Sequence, residues 1–108
     1  MKSVFLNRKK RSKEEIIASI LNTSRQGTSK TSIMYVNYLS FSQLNKYLDF
    51  ALKTKIIFQN GDGRYYTTTR GMEYLKCFQE VQSMENSAIA KKQLLHEILM
   101  GDGGKDLC

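Results

Sequence analysis

The first half of the chain carries apolar residues at the three- and four-residue spacing of helices, in three segments separated by polar residues. Two segments open on capping-box pairs, Ser12 with Glu15 and Ser40 with Gln43, whose side chains satisfy free backbone N–H groups at a helix start. A glycine or a cluster of small polar residues follows each segment. The pattern predicts helices over residues 12–27, over about 30–37, and from residue 40 onward.

The third predicted helix divides its side chains between two faces. The apolar face consists of Leu44, Tyr47, Leu48, Ala51 and Leu52, and the polar face of Ser42, Asn45, Lys46, Asp49 and Lys53. A helix that reads DNA must present small polar and basic groups in this way, although a surface helix of any globular domain would do so too. Because Asp49 would repel phosphate, contacts are expected only from the N-terminal half of the polar face.

A β-hairpin is predicted between Lys55 and Gly71. Two β-prone runs, residues 56–58 and 65–68, flank Asn60-Gly61-Asp62-Gly63, whose residues tolerate positive φ. Thr68 is expected to cap a fourth helix, and Gly71 to let a neighbouring element approach closely. A hairpin after a helix-turn-helix is the wing of a winged helix, so the chain is expected to be mainly α with a small β-hairpin.

The segment from Tyr74 to Met100 contains no proline or glycine and predicts one long helix, about 40 Å in length. Its apolar seam has alternating spacings of three and four, with Lys91 as a polar interruption. The seam residues are Tyr74, Cys77, Val81, Met84, Ala88, Leu95 and Ile98. A small core cannot cover such a helix, so we expect a C-terminal coiled-coil homodimer, parallel or antiparallel. The alternative is a stripe folded back on its own domain.

The net charge of +7 is concentrated in the first half of the chain. Residues 1–30 carry +6, residues 31–60 carry +2 and residues 61–108 carry −1. This asymmetry predicts a polyanion partner, whereas a solvated charge run would explain only the cluster from Arg8 to Lys13. Basic groups would neutralise phosphates, and polar groups on the third helix would contact base edges. The residues expected to bind DNA are Lys9, Lys10, Arg11, Lys30, Ser42, Gln43, Asn45, Lys46 and, at the wing tip, Arg64.

Composition and motifs argue against several other classes of protein. No run of 18 apolar residues is present, and the N-terminal charges do not resemble a secretory signal, so a cytoplasmic, nucleoid-associated protein is expected. Cys77 and Cys108 form no CxxC or Cys/His cluster, which predicts ordinary thiols, no metal and no cofactor. The single histidine, His96, falls on the long helix without a nucleophile nearby in sequence. We therefore expect neither an enzyme active site nor a small-molecule substrate.

The order of elements resembles the winged helix-turn-helix fold. Several stretches also resemble the 10a-type chromatin-associated proteins, small basic DNA-binding proteins of archaea that dimerise through a C-terminal coiled coil. The matching pieces are Glu15-Ile16-Ile17, Lys30-Thr31-Ser32-Ile33-Met34-Tyr35, Leu39-Ser40-Phe41, Tyr47-Leu48, Ile56-Ile57 and Tyr65-x-x-Thr68-x-x-Gly71. The resemblance implies double-stranded DNA binding as a homodimer through the third helix, the wing and nearby basic residues. It implies no binding sequence, and such proteins serve as chromatin components or as transcription regulators.

Four regions are expected: a basic arm (1–11), a winged helix (12–71), a dimerisation helix (72–100) and a flexible tail (101–108). A winged helix that binds another protein, or RNA, is the alternative function. Five tyrosines would suit stacking on single strands, but they interleave with core positions, so packing in the core or at its rim is expected. They are Tyr35, Tyr38, Tyr47, Tyr65 and Tyr66.

Overall fold

In the computed structural model, residues 11–101 are described, and they form four helices and one hairpin in the predicted order. The elements are α1 (Lys13–Thr23), α2 (Lys30–Val36), α3 (Phe41–Lys53), β1 (Ile57–Gln59), β2 (Tyr65–Thr67) and α4 (Thr69–Met100). The predicted fold class, mainly α with a small antiparallel hairpin and a long last helix, is confirmed. Lys9, Lys10 and the tail beyond Gly101 lie outside the described residues.

Both predicted capping boxes form. The Ser12 hydroxyl accepts from the Glu15 N–H at 3.1 Å, and the Glu15 carboxylate accepts from the Ser12 N–H at 2.7 Å. Ser40 and Gln43 make the same reciprocal pair at 3.1 and 3.0 Å. These bonds satisfy N–H groups that a helix start leaves without intrahelical partners, so they set where α1 and α3 begin.

Helix α1 ends four residues earlier than predicted, at Thr23 rather than at Gly27. At this end the buried Ser24 hydroxyl donates to the Ile20 carbonyl at 2.9 Å, one of the last carbonyl groups of the helix. Gly27 instead has φ +97°, and a Cβ there would lie 2.6 Å from the ring of Tyr66. The segment after α1 is thereby free to pair with the hairpin, as the two hydrogen bonds between Thr28 and Tyr65 show.

The core lies between α1, α2, α3 and the hairpin. Its most deeply buried apolar residues come from all four parts: Ile20, Leu21, Ile33, Leu44 and Ile57. One polar group shares this interior. Asn37, at the end of α2, is 2% exposed, donates to the Ile33 carbonyl at 2.8 Å and also bonds the hydroxyls of Ser19 and Thr23. Both polar atoms of its side chain have partners, so this side chain ties α2 to α1 without an unpaired buried group.

The hairpin closes through a three-residue loop, residues 61–63, between the paired backbones of Asn60 and Arg64. The Asn60 carbonyl accepts from the Gly63 N–H at 2.9 Å, and the Asn60 N–H donates to the Arg64 carbonyl at 2.7 Å. Gly63 has φ +88°. This is a turn followed by a left-handed residue, the usual way to close a loop of this length. Of the four residues Asn60–Gly63 only Gly63 uses positive φ. In the antiparallel pairing of the two strands, Ile57 of β1 lies opposite Thr67 of β2.

Helix α4 begins as predicted. The Thr68 hydroxyl accepts from the Gly71 N–H at 3.0 Å and donates to the Lys55 carbonyl at 2.7 Å. Gly71 is buried against the hairpin, where a Cβ would overlap the Ile56 carbonyl oxygen and approach Thr67 Cγ2 to 2.6 Å. The close approach expected of Gly71 is therefore present, and it joins the wing to the last helix.

The chain divides into two compact units, with the boundary between Lys76 and Cys77 inside α4. In the second unit every residue from Gln79 to Met100 is exposed, apolar ones included. No helix within residues 11–101 is both long and apolar enough to span a bilayer. Nor does this part of the chain bring together three His, Cys, Asp or Glu side chains that could ligate a metal ion.

Candidate nucleic-acid interface

Helix α3 is anchored to the core along one face only. Leu44, Leu48 and Ala51 are each at most 3% exposed, and they hold the helix against α1, α2 and β1. Ser42 and Lys46 are exposed, as predicted. Asn45 is half-buried, so its side chain is less accessible than the helical pattern suggested. The N-terminal half of α3 thus presents one hydroxyl, one ammonium and part of one amide.

Gln43 has a structural role in addition to the DNA contact expected of it. Its side-chain oxygen accepts from the Ser40 N–H at 3.0 Å and completes the capping box of α3. A bond from that oxygen to a base would break the cap, which is worth about 1 kcal/mol. Ser42 and Lys46 make no such contact, although the Lys46 ammonium lies 5.3 Å from the centroid of the Tyr47 ring.

Three of the basic residues outside α3 that were expected to bind DNA are held by contacts within the domain. The Arg11 guanidinium donates to the Tyr38 carbonyl at 3.3 Å, so this residue, expected in a flexible arm, contacts the turn between α2 and α3. The Lys30 ammonium lies 5.7 Å from the centroid of the Phe41 ring. Arg64 was expected at the wing tip, but it follows the loop and donates to the Gly27 carbonyl at 3.2 Å. These contacts therefore restrict the orientation of all three basic side chains.

The charge around α3 is one-sided. Residues 16–48 contain no aspartate or glutamate, and residues 11–76 carry ten basic and five acidic groups, a net +5. Asp49, on the C-terminal half of α3, pairs with Lys53 at 3.2 Å, and both side chains are well exposed. Because the two charges of this pair cancel, the positive potential of α3 is concentrated on its N-terminal half. The presence of Asp49 in the sequence had led to the same expectation.

Sequence reasoning missed an exposed aromatic cluster at the turn between α2 and α3. Tyr35 is 69% exposed and Tyr38 is 85% exposed, so the expectation that both pack in the core or at its rim is wrong. Phe41, at the start of α3, is 66% exposed. One signal was available: Tyr35 follows the buried Ile33 by two positions, about 200° around a helix, which directs it away from the core. Tyr65 and Tyr66 do pack, buried and half-buried respectively.

The predicted dimerisation seam lies on the second unit, except at its first residue. The Tyr74 hydroxyl donates to the Glu14 carbonyl of α1 at 3.1 Å, so Tyr74 already packs within the winged helix. The later seam positions are open, with Val81, Met84, Leu95 and Ile98 between 45% and 70% exposed. Ala88 and the free thiol of Cys77 are exposed as well.

Comparison with known proteins agrees with this architecture. The sequence profile described as winged helix-turn-helix matches residues 10–86, and the chain belongs to that family. Among solved structures it is similar to the crystal structure of Sso10a-2, a DNA-binding protein from Sulfolobus solfataricus, with a TM-score of 0.73 and 23% sequence identity. The match covers 85% of this chain and 100% of that one, and it shows a shared fold. No curated protein sequence matches the chain.

Proposed function

We propose that this protein binds double-stranded DNA as a homodimer, with the N-terminal half of α3 in the major groove. The observation that carries the proposal is the exposed Ser42–Lys46 face of α3, supported from behind by the core and surrounded by a segment without acidic residues. A helix held in this way keeps its position when it meets a charged groove. The structural relative described as DNA-binding supports the same reading.

The proposed DNA contacts form two groups: contacts to phosphates, which position the protein on the duplex, and contacts to base edges, which read the sequence. Lys30, Lys46 and Arg64 neutralise phosphates, joined by Arg11 and by Lys9 and Lys10 of the N-terminal arm. Ser42 and Asn45 meet base edges, and Asn45 suits adenine. Since only two or three polar groups of α3 are free to read bases, sequence preference is modest. This favours an architectural, nucleoid-associated role over a sharply specific regulator, and selection from a random duplex pool distinguishes them.

The homodimer forms through the exposed seam of α4, which we take to begin at Cys77. Charges on the helix favour an antiparallel pair. A parallel, in-register pair would place Lys91 opposite its own copy, and Glu80 of one helix beside Glu85 of the other. An antiparallel pair centred on the seam places Lys91 opposite Val81, near Glu80, which precedes Val81 in the chain. The second arrangement therefore removes the contact between the two Lys91 side chains and brings each of them near an acidic residue.

Salt dependence of DNA affinity tests the proposal. The logarithm of the association constant should fall linearly with the logarithm of salt concentration, because phosphate contacts release condensed counterions. Lys46→Ala should reduce the steepness of that line by about 2 for a dimer, one phosphate contact for each copy. Lys53→Ala is the matched control, since Lys53 lies on the same helix but pairs with Asp49, and it should leave the slope unchanged.

Two outcomes would contradict the DNA proposal. If the purified protein binds no duplex in low salt, the winged helix serves protein interaction instead. If duplex RNA binds more tightly than duplex DNA of the same sequence, the RNA alternative replaces it. Equal loss of slope in Lys46→Ala and Lys53→Ala would leave DNA binding intact but contradict its assignment to the N-terminal half of α3.

A further inference from the structure

Three exposed aromatic residues occur in and beside the short turn that joins α2 to α3. Tyr35 lies in the last turn of α2, Tyr38 lies in the connecting turn, and Phe41 is the first residue of α3. All three side chains are at least 66% exposed. The Tyr38 N–H donates to the Tyr35 carbonyl at 3.3 Å, which keeps these two residues in one tight turn. Aromatic residues so exposed, in a turn of only a few residues, are available to a partner.

The backbone of Tyr38 ends α2. Its φ is +55°, in the left-handed region, and its N–H donates to the Tyr35 carbonyl while the Leu39 N–H donates to the Met34 carbonyl at 3.0 Å. These two bonds form a Schellman motif, a common helix end whose left-handed position glycine or asparagine usually occupies. The Tyr38 side chain gains little burial there, because it is 85% exposed.

Cations lie directly against the cluster. Arg11 donates to the Tyr38 carbonyl, and the Lys30 ammonium lies over the Phe41 ring. No carboxylate occurs anywhere in residues 16–48. Exposed rings interleaved with fixed positive charge match a partner whose flat apolar surfaces alternate with negative groups. Unpaired nucleotides have this alternation, since each base offers a ring face and each linkage a phosphate.

We propose that the turn formed by Tyr35, Tyr38 and Phe41 is a stacking platform for unpaired DNA bases. The proposal rests on the DNA binding proposed above, and it specifies the substrate: duplex that contains an unpaired stretch is bound more tightly than intact duplex. In an intact duplex the base faces are covered by neighbouring base pairs, so the rings have nothing to stack on. At a bubble or junction α3 can hold the duplex while displaced bases stack on the turn.

The test compares one duplex with the same duplex carrying a short central mismatch bubble. The unmodified protein should bind the bubble about tenfold more tightly, the value of stacking about one base on an aromatic ring. A 2-aminopurine placed in the bubble should lose fluorescence on binding, as it does when it stacks. The variant Tyr35→Gln/Tyr38→Asn should lose the preference and the quenching, while its affinity for the intact duplex stays within about twofold.

The control variant Tyr35→Phe/Tyr38→Phe keeps both rings and should keep the preference. Thermal unfolding should confirm that each variant is folded. We expect both to fold, because the two side chains are exposed and asparagine tolerates left-handed φ. Equal affinity of the unmodified protein for bubble and intact duplex would overturn the platform but not DNA binding. So would an unchanged preference in the Tyr35→Gln/Tyr38→Asn variant, which would show that the two tyrosine rings do not contribute to it. Failure to bind either DNA would instead overturn the proposed function.

Discussion

The contact between Gly71 and the wing gives the sharpest stability prediction for this fold. Gly71 lies in the first turn of α4, where alanine would ordinarily be preferred by about 1 kcal/mol. Here a Cβ would overlap the carbonyl oxygen of Ile56 and approach Thr67 Cγ2 to 2.6 Å. The two effects of Gly71→Ala therefore have opposite signs, and their sizes decide the outcome.

The overlap is the larger effect. Packing an extra methyl group into a filled site costs about 1–3 kcal/mol, and the cost is highest where the neighbour cannot rotate away. The Ile56 carbonyl is backbone, and it accepts a hydrogen bond from the Thr68 N–H at 3.1 Å, so moving it disturbs the end of the hairpin. After the helix preference is subtracted, we expect a net loss of about 2 kcal/mol, taking the upper part of that range.

Thermal unfolding at a fixed protein concentration measures this loss. A change of about 2 kcal/mol in a small domain lowers Tm by roughly 8–16 °C. Gly61→Ala is the matched control, because Gly61 does not have positive φ and a Cβ there would meet no atom within 4 Å. The control should unfold within a few degrees of the unmodified protein. If Gly71→Ala unfolds at the same temperature as Gly61→Ala, the tight joint between wing and α4 does not exist.

Three further results are expected. Asn37→Ala should lower the free energy of unfolding by about 2–3 kcal/mol, since it removes a buried network between α1 and α2; an unchanged urea midpoint would contradict that role. Val81→Glu should give monomers in sedimentation analysis, whereas Gln82→Glu, off the seam, should not; a monomeric unmodified protein at micromolar concentration would refute the dimer. Leu95→Cys should form a disulfide with Cys77 of the other copy, in a background without the second natural cysteine, if the pair is antiparallel. Crosslinking through Cys77 alone would indicate the parallel arrangement.

Much of the fold followed from interactions within a few residues of each other. The capping boxes at Ser12 and Ser40, the cap at Thr68 and the need for glycine at position 71 were all readable from the sequence. The three caps depend on backbone groups three residues away, so distant contacts have little effect on them. Glycine at position 71 was expected from the Thr-x-x-Gly spacing, although the contact that requires it is with Ile56 of the hairpin. The exposed positions of Ser42 and Lys46 also followed, because helical periodicity places both opposite the residues that α3 buries.

Other features depended on segments far apart in the chain. Arg64 turns toward Gly27, 37 residues earlier, and Tyr74 bonds Glu14, 60 residues earlier, so neither could be placed from its own surroundings. Residue spacing likewise did not show that the Tyr38 ring would remain 85% exposed, because coverage of a side chain depends on packing between elements. Local sequence thus determined where each element begins and which side it buries. Tertiary packing alone decided which charges are tethered and which rings remain open to a partner, since these follow from contacts between elements rather than within them.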